Sequence, residues 1–188
     1  MNKKPVVFID RDGVINFDSP DYIKSCDELF FIPKSIDAIA NLSKSGHDVF
    51  VITNQSVIGR KMVTPEGLKK IFAKMTDAVK EKNGDIKEIF FCPHIPKDNC
   101  SCRKPAPGLF FQARDKYGLD LSNSVMIGDS SKDMIAAKNA GVKFKILVLT
   151  GNGKKAQKEL KEKQIFTDYI AADLYDAHKW IIKNTGPR

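Results

Sequence analysis

The sequence predicts an α/β fold with a doubly wound, mostly parallel sheet and helices on both faces, and three observations carry that reading. The runs VVFI (6–9), VFVI (49–52) and VMI (125–127) are uniformly apolar rather than alternating, as expected of strands buried on both faces. Segments with apolar residues at helical spacing stand between them. Each run ends in small polar or acidic residues, at Asp10, at Thr53 with Asn54, and at Gly128 with Asp129. That carboxyl edge is where open α/β sheets bind ligands.

Length and composition limit the alternatives. With 188 residues and 42% hydrophobic content, the chain can bury one good core and is short for two. We expect a single domain over 1–188 with a small insertion at 92–102. Lys+Arg 31 against Asp+Glu 23 leaves +8, which favours anions such as phosphorylated metabolites. No basic run is interleaved with aromatics, so a nucleic-acid track is not expected. No apolar run approaches the roughly 18 residues that span a bilayer, and the first residues make a poor signal peptide. We expect a cytoplasmic monomer that acts on a phosphorylated small molecule and not at a membrane.

Taken in order, VVFI is the first strand and delivers Asp10, Arg11, Asp12 and Gly13. Side chains alternate on an extended segment, so Asp10 and Asp12 can share a direction that Arg11 does not. Two like charges this close call for a divalent cation or a shared proton. Residues 17–32 carry turn formers and no sustained period, and we expect a loop over the site. From Pro33, taken as a first-turn residue, Ile36, Ile39, Ala40 and Leu42 give a helical stripe that ends before Gly46. The second strand brings Thr53, Asn54 and Gln55 to the edge that carries Asp10. Thr64 and Pro65 open a helix whose stripe of Leu68, Ile71, Phe72, Met75 and Val79 is core. IKEIFF is a third strand and leads to Cys92.

Cys92, His94, Cys100 and Cys102 place three thiolates and an imidazole within eleven residues, a closed set suited to structural Zn²⁺. Cysteines one residue apart rarely bridge comfortably, and a reducing compartment disfavours the bond. Arg103 and Lys104 follow directly, so the same clamp would fix their direction. Leu109, Phe110, Ala113 and Tyr117 mark the next helix, which Gly118 stops. The strand at 125–127 then delivers Asp129 as a third carboxylate at the shared edge, where hard oxygen ligands suit Mg²⁺. Ser130 caps the following helix, and Asp133 lies in its first turn, as a residue placed against the helix dipole would. KILVLTGNGK and DYIAADL are strands five and six, and a final helix runs through Trp180, Ile181 and Ile182. Gly151-Asn152-Gly153 is too short to mark a nucleotide loop.

Together DRDGVIN, TNQS, CPH with CSC, RKPAPG and IGDSSKD resemble, in order and spacing, the haloacid dehalogenase-like phosphatases, within them the heptose bisphosphate and histidinol phosphatases that share a zinc loop. The resemblance implies an Mg²⁺-dependent phosphatase with a Rossmann-like core and a zinc loop in place of a large cap. It implies that Asp10 is the nucleophile and Asp12 the general acid/base, with Thr53 and Lys104 stabilising the phosphoryl group. Arg11, Asn54, Gln55 and Arg103 would contact substrate, and Asp10, Asp129 and the Asp12 main-chain carbonyl would hold Mg²⁺. The substrate implied is a sugar bisphosphate, the 7-phosphate of a heptose 1,7-bisphosphate, on the route to lipopolysaccharide or surface polysaccharide. Histidinol phosphate or another small phosphomonoester is the alternative. A zinc-ordered basic binding module would explain the charge and the Cys/His cluster, but not three acids at one sheet edge. Val57 and Lys61 stand where the family usually has glycine.

Overall fold

A computed structural model of the chain describes residues 4–185. Its core is a six-stranded, all-parallel sheet built from β1 (Val6–Ile9), β2 (Val49–Asn54), β3 (Glu88–Cys92), β4 (Ser124–Gly128), β5 (Phe144–Val148) and β6 (Tyr169–Ala171), in the order β3-β2-β1-β4-β5-β6. In register, Ile9 stands between Val51 and Ile127. Alternation of side chains gives the sheet two apolar faces. Val7, Ile9, Val51 and Ile127 pack with α1 (Ser35–Lys44), α2 (Pro65–Glu81) and α6 (Leu174–Thr185). Phe8, Phe50, Ile52 and Met126 pack with α3 (Gly108–Tyr117), α4 (Ser131–Ala140) and α5 (Gly153–Glu162). Helices on both faces of a parallel sheet are the doubly wound architecture expected from the apolar runs.

Local chemistry sets the helix starts. The Thr64 hydroxyl accepts from the Gly67 N–H at 3.1 Å and Pro65 takes the first helical position of α2. Ser130 and Asp133 cap α4 reciprocally. Helix α1 differs from the reading at Pro33. Lys34 is left-handed at φ 63° and the helix starts at Ser35, whose hydroxyl donates to the Ile15 carbonyl at 2.6 Å. Helix α5 is an element that the sequence reading does not contain, because only Gly153, Ala156 and Leu160 along it are buried and the segment is otherwise strongly polar. Ile182 is 42% exposed, so the inward side of α6 is Ile181, with Trp180 stacked on Tyr169.

The two departures from glycine have different costs. Val57 is buried against Val63 and Leu68 and has no positive φ, so its side chain only adds packing. Lys61 sits at φ 57°, the left-handed region that glycine adopts freely. The chain winds outward from β1 in both directions, so the strand order reverses between β1 and β4. A crevice opens beyond the carboxyl ends of those two strands.

Candidate active site

Asp10 follows β1 and Asp129 follows β4, so the parallel pairing of those strands sets the two carboxylates side by side. Asp133, one turn into α4, joins them, and ligand oxygens of all three lie within 4.8 Å of one another. Lys104 enters from the segment after the zinc loop with 2% of its side chain exposed. Its Nζ meets Asp10 Oδ1 at 2.9 Å, Asp133 Oδ1 at 2.6 Å and the Ile52 carbonyl at 2.9 Å. Three carboxylates thus face one ammonium, and two negative charges remain for a divalent cation. The donors are all hard oxygens in a buried cluster, which fits Mg²⁺.

The electrostatics follow from this crowding. Burial, then the Asp133 carboxylate, push Asp10 well above the usual carboxylate range against the pull of Lys104. Burial and Asp133 likewise push Asp129 up to about 7. Burial alone would lower Lys104, but the Asp10 and Asp133 carboxylates outweigh it and raise it. Asp129 is also seated by close backbone. The Asn152 N–H donates to its Oδ2 at 2.7 Å, and a Cβ on Gly13 (φ 79°) or Gly151 (φ 54°) would overlap that oxygen.

Asp12 behaves differently. Its carboxylate is outside the three-acid cluster and takes a fork from Arg11, with Nη2 at 2.7 and 2.9 Å and Nε at 3.0 Å. Asn16 Nδ2 and Gln55 Nε2 each add a hydrogen bond at 2.9 Å. Burial would raise this carboxyl, yet the Arg11 guanidinium and these donors hold it below its ordinary value. The environment therefore separates the two aspartates of one DxD, one raised and one lowered.

The cleft beyond these groups has a volume of about 420 Å³ and is lined by Asp10, Asp12, Thr53, Asn54, Arg103 and Lys104 among others. Thr53 accepts from Gln55 Nε2 at 2.9 Å, so its own proton is free to donate. Asn54 brackets the Lys104 main chain, accepting from its N–H at 3.1 Å and donating to its carbonyl at 3.2 Å. Arg11 and Gln55 do not line the cleft. Both are 2% exposed, and their side chains donate to Asp12, with Gln55 also donating to Thr53. The alternation argument did send Arg11 away from Asp10. What it could not show is that a long side chain folds back onto its neighbour.

Sequence reasoning left the role of Asp133 open and gave Asn152 none, yet both reach the site. Asp133 is fully buried, and its Oδ2 accepts from Ser130 Oγ at 2.6 Å while Oδ1 faces Lys104. A helix-cap acid whose lysine partner lies 29 positions earlier in the chain gives no sequence signal of that pairing, although the phrase IGDSSKD did hold Asp133 beside Asp129. Asn152 lies in the glycine triplet judged too short for a nucleotide loop.

At the far end of β3 the Cys/His cluster closes. Cys92 Sγ lies 3.5 Å from Cys100 Sγ and 3.1 Å from Cys102 Sγ, and His94 Nδ1 lies 3.6 and 3.3 Å from Cys92 and Cys102. Zinc at about 2.3 Å from each sulfur makes tetrahedral edges of roughly 3.8 Å, so the set fits with small outward relaxation. Burial, then the Cys102 thiol, push Cys92 up to about 12. Three thiols so close ionise together only around a dication. The Arg103 guanidinium, next in sequence, donates to the His94 carbonyl at 3.0 Å.

Among the described residues no helix is long and apolar enough to cross a membrane. A family model described as HAD-hydrolase-like matches residues 101–177. A D-glycero-beta-D-manno-heptose-1,7-bisphosphate 7-phosphatase of Neisseria meningitidis is 40% identical over 97% of this chain and 98% of its own length. The protein of that name from Pseudomonas aeruginosa is 44% identical over 90% and 95%. A crystal structure of D,D-heptose 1,7-bisphosphate phosphatase from B. bronchiseptica, complexed with magnesium and phosphate, superposes with a TM-score of 0.89 at 36% identity, covering 95% of this chain and 98% of that one. Likeness of this extent, over a shared doubly wound core, means that the chain belongs to the haloacid dehalogenase-like hydrolases, in the family of the heptose bisphosphate phosphatases.

Proposed function

We propose that the chain is a magnesium-dependent phosphoric monoester hydrolase that removes the 7-phosphate of D-glycero-D-manno-heptose 1,7-bisphosphate through an aspartyl-phosphate intermediate. The observation that carries this reading is the convergence of Asp10, Asp129 and buried Lys104 at the switch point of the sheet, with Asp12 held apart from them.

Asp10 Oδ1 accepts from the Arg11 N–H at 2.7 Å and from Lys104, which leaves Oδ2 to attack phosphorus. The bond from phosphorus to the sugar oxygen breaks, and Asp12 gives that oxygen its proton. Asp12 takes up this proton as dianionic phosphate enters, since nearby negative charge raises a carboxyl pKa. Water then attacks the aspartyl phosphate and Asp12 accepts its proton, so inorganic phosphate leaves and Asp10 is restored. Thr53 Oγ1 and Lys104 Nζ bind the equatorial oxygens, whose charge is what a loose phosphoryl transition state most needs to have stabilised. What Mg²⁺ supplies, when held by Asp10, Asp129 and the Asp12 main-chain carbonyl, is neutralisation of charge on the phosphoryl oxygens and the nucleophile. Zn²⁺, held by Cys92, His94, Cys100 and Cys102 with all four positions filled by protein, orders the loop that aims Arg103 and Lys104. The enzyme works in the cytoplasm as a monomer, on the route to activated heptose for lipopolysaccharide or surface polysaccharide.

One observation favours a second substrate. Asp18 and Glu159 line one side of the cleft and could face the amine of histidinol phosphate. Phosphate release from heptose 1,7-bisphosphate and from histidinol phosphate, with and without Mg²⁺, separates the two. We expect kcat/KM to favour the heptose substrate at least about tenfold, as one charge-assisted contact would. Preference for histidinol phosphate overturns the assignment.

A further inference from the structure

Thr53 lies in β2 and Gln55 just past its carboxyl end, and on extended chain residues two apart point the same way. The Gln55 N–H donates to the Cys92 carbonyl at 2.7 Å, which carries the pairing of β2 with β3 one residue beyond Asn54. Gln55 is therefore placed by the sheet itself. Its side chain is buried behind the cleft wall, whereas Thr53 and Asp12 line the cleft.

One atom of that side chain has two partners. Gln55 Nε2 donates to Thr53 Oγ1 and to Asp12 Oδ2, each at 2.9 Å, so those two oxygens are held less than twice that distance apart. Charge fixes the orientation, since an ionised carboxylate has no proton to give and must face the amide nitrogen. Arg11 and Asn16 do not make this link. Arg11 donates only to Asp12, and Asn16 Nδ2 donates to Asp12 Oδ1 and to the Phe17 carbonyl. Oδ1 thus has three donors, from Arg11 Nε, Arg11 Nη2 and Asn16, and Oδ2 has two, from Arg11 Nη2 and Gln55. Oδ2 is the less engaged oxygen and the better one to carry the transferred proton.

The reaction gives the link a use. Asp12 serves the leaving oxygen and Thr53 an equatorial oxygen, and both oxygens belong to one phosphorus, so the groups that serve them must keep a fixed spacing. We propose that Gln55 is a positioning residue for this reaction, its amide nitrogen joining the acid/base Asp12 and the phosphoryl donor Thr53 into one unit. The inference rests on the function proposed above and adds a residue to it. Gln55 acts through Asp12 and Thr53, not on the bonds made and broken at phosphorus.

The test compares two substrates that differ in their need for an acid. The alkoxide of a sugar phosphate must be protonated as it leaves, whereas the phenolate of p-nitrophenyl phosphate leaves without a proton. Because kcat/KM covers the steps up to that departure, its ratio for heptose 1,7-bisphosphate over p-nitrophenyl phosphate reads the work of Asp12 as an acid. The ratio is measured for wild type, Asp12→Asn, Gln55→Met, Gln55→Glu and Val57→Ala, each with a melt. Asp12→Asn should lower it most, by about a hundredfold or more. Gln55→Met keeps the length and loses the donor. It should lower the ratio about tenfold, reduce kcat/KM for the aryl substrate about threefold through Thr53, and change KM for the sugar less than about twofold. Gln55→Glu sets an acceptor against Asp12 and should lower the ratio at least as far. The two variants differ in charge and shape, so if one does not fold the other decides. Val57→Ala loosens the same turn by removing packing on Val63 and Leu68, and should lower Tm while changing the ratio less than about twofold. If both Gln55 variants keep the wild-type ratio while Asp12→Asn loses it, Gln55 does not position the acid and the phosphatase assignment stands. If Val57→Ala lowers the ratio as much as Gln55→Met does, the effect belongs to a loosened turn and the inference falls. If Asp12→Asn itself keeps the ratio, the acid role of Asp12 fails and takes the positioning with it.

Discussion

The acid centre and the zinc loop are two four-residue clusters of like chemistry held in opposite ways. Asp10 and Asp129 stand at the ends of adjacent buried strands, and Lys104 supplies a cation of the protein's own. The centre is therefore shaped before any metal arrives, and metal adds charge rather than form. Cys92, His94, Cys100 and Cys102 have no such counter-charge. Beyond Cys92 they lie on irregular chain, with one three-residue turn at Pro96–Asp98 that buries none of its residues. Here a bound Zn²⁺ would provide the form. Position in the fold, more than ligand type, decides which cluster tolerates loss of a member.

The largest expected effect is on chemistry at the preformed centre. Asp10→Asn should lower kcat by about 10⁴-fold or more, the scale on which loss of a nucleophile is felt. Its melting temperature should be unchanged or higher, because one of three crowded carboxylates is neutralised. Activity and melting measured together check this, and a well-folded Asp10→Asn protein with normal turnover would sink the nucleophile.

Cys102→Ser should show the reverse balance. Zinc content should drop from about one per chain toward zero, and losing even about 2 kcal/mol of metal binding lowers Tm by roughly 4–8 °C at this chain length. Because Lys104 is two residues away, kcat should also fall about tenfold to a hundredfold through misplacement. Metal analysis and a melt decide it. A zinc-free variant with wild-type Tm and kcat would show that the loop holds itself.

The smallest effect is one of pH. The folded-state pKa of Asp129 is raised from 3.8 to about 7, so its contribution to stability is fully present below about pH 4 and is lost as pH rises through about 7. Asp10 is shifted in the same direction. Asp12, held low, works oppositely and only in more acid solution. Magnesium binds the ionised pair, so the Tm gain from excess Mg²⁺ should be clearly larger at pH 8 than at pH 5. Equal gains at both values would mean that the cation binds elsewhere. The zinc-loop variant should keep this pH dependence, which separates the two clusters again.

The expectations that matched best concerned residues whose neighbours in sequence are also their neighbours in space. Helix α2 begins where Thr64 and Pro65 said it would, and the four zinc-set residues gather because only eleven positions contain them. The expectations that changed involved reach. Pro33 did not open α1, because Ser35 is tied to Ile15, twenty residues earlier. Reach also sets the side chain of Arg11, which folds onto Asp12, since a buried guanidinium needs acceptors and the nearest carboxylate provides them.

By itself the sequence determined the strands, through uniformly apolar runs that could only be buried on both faces, and with them the edge on which Asp10, Thr53 and Asp129 emerge. It also determined the thiolate and imidazole set. Only the tertiary structure decided that β4 lies beside β1, that Lys104 crosses fifty residues of chain to reach the Ile52 carbonyl, and that Asp133 and Asn152 belong to the centre. The reason is physical. Apolar period and spacing are written along the chain, whereas a buried charge takes its partners from whatever strand and helix ends the packing of the sheet brings near.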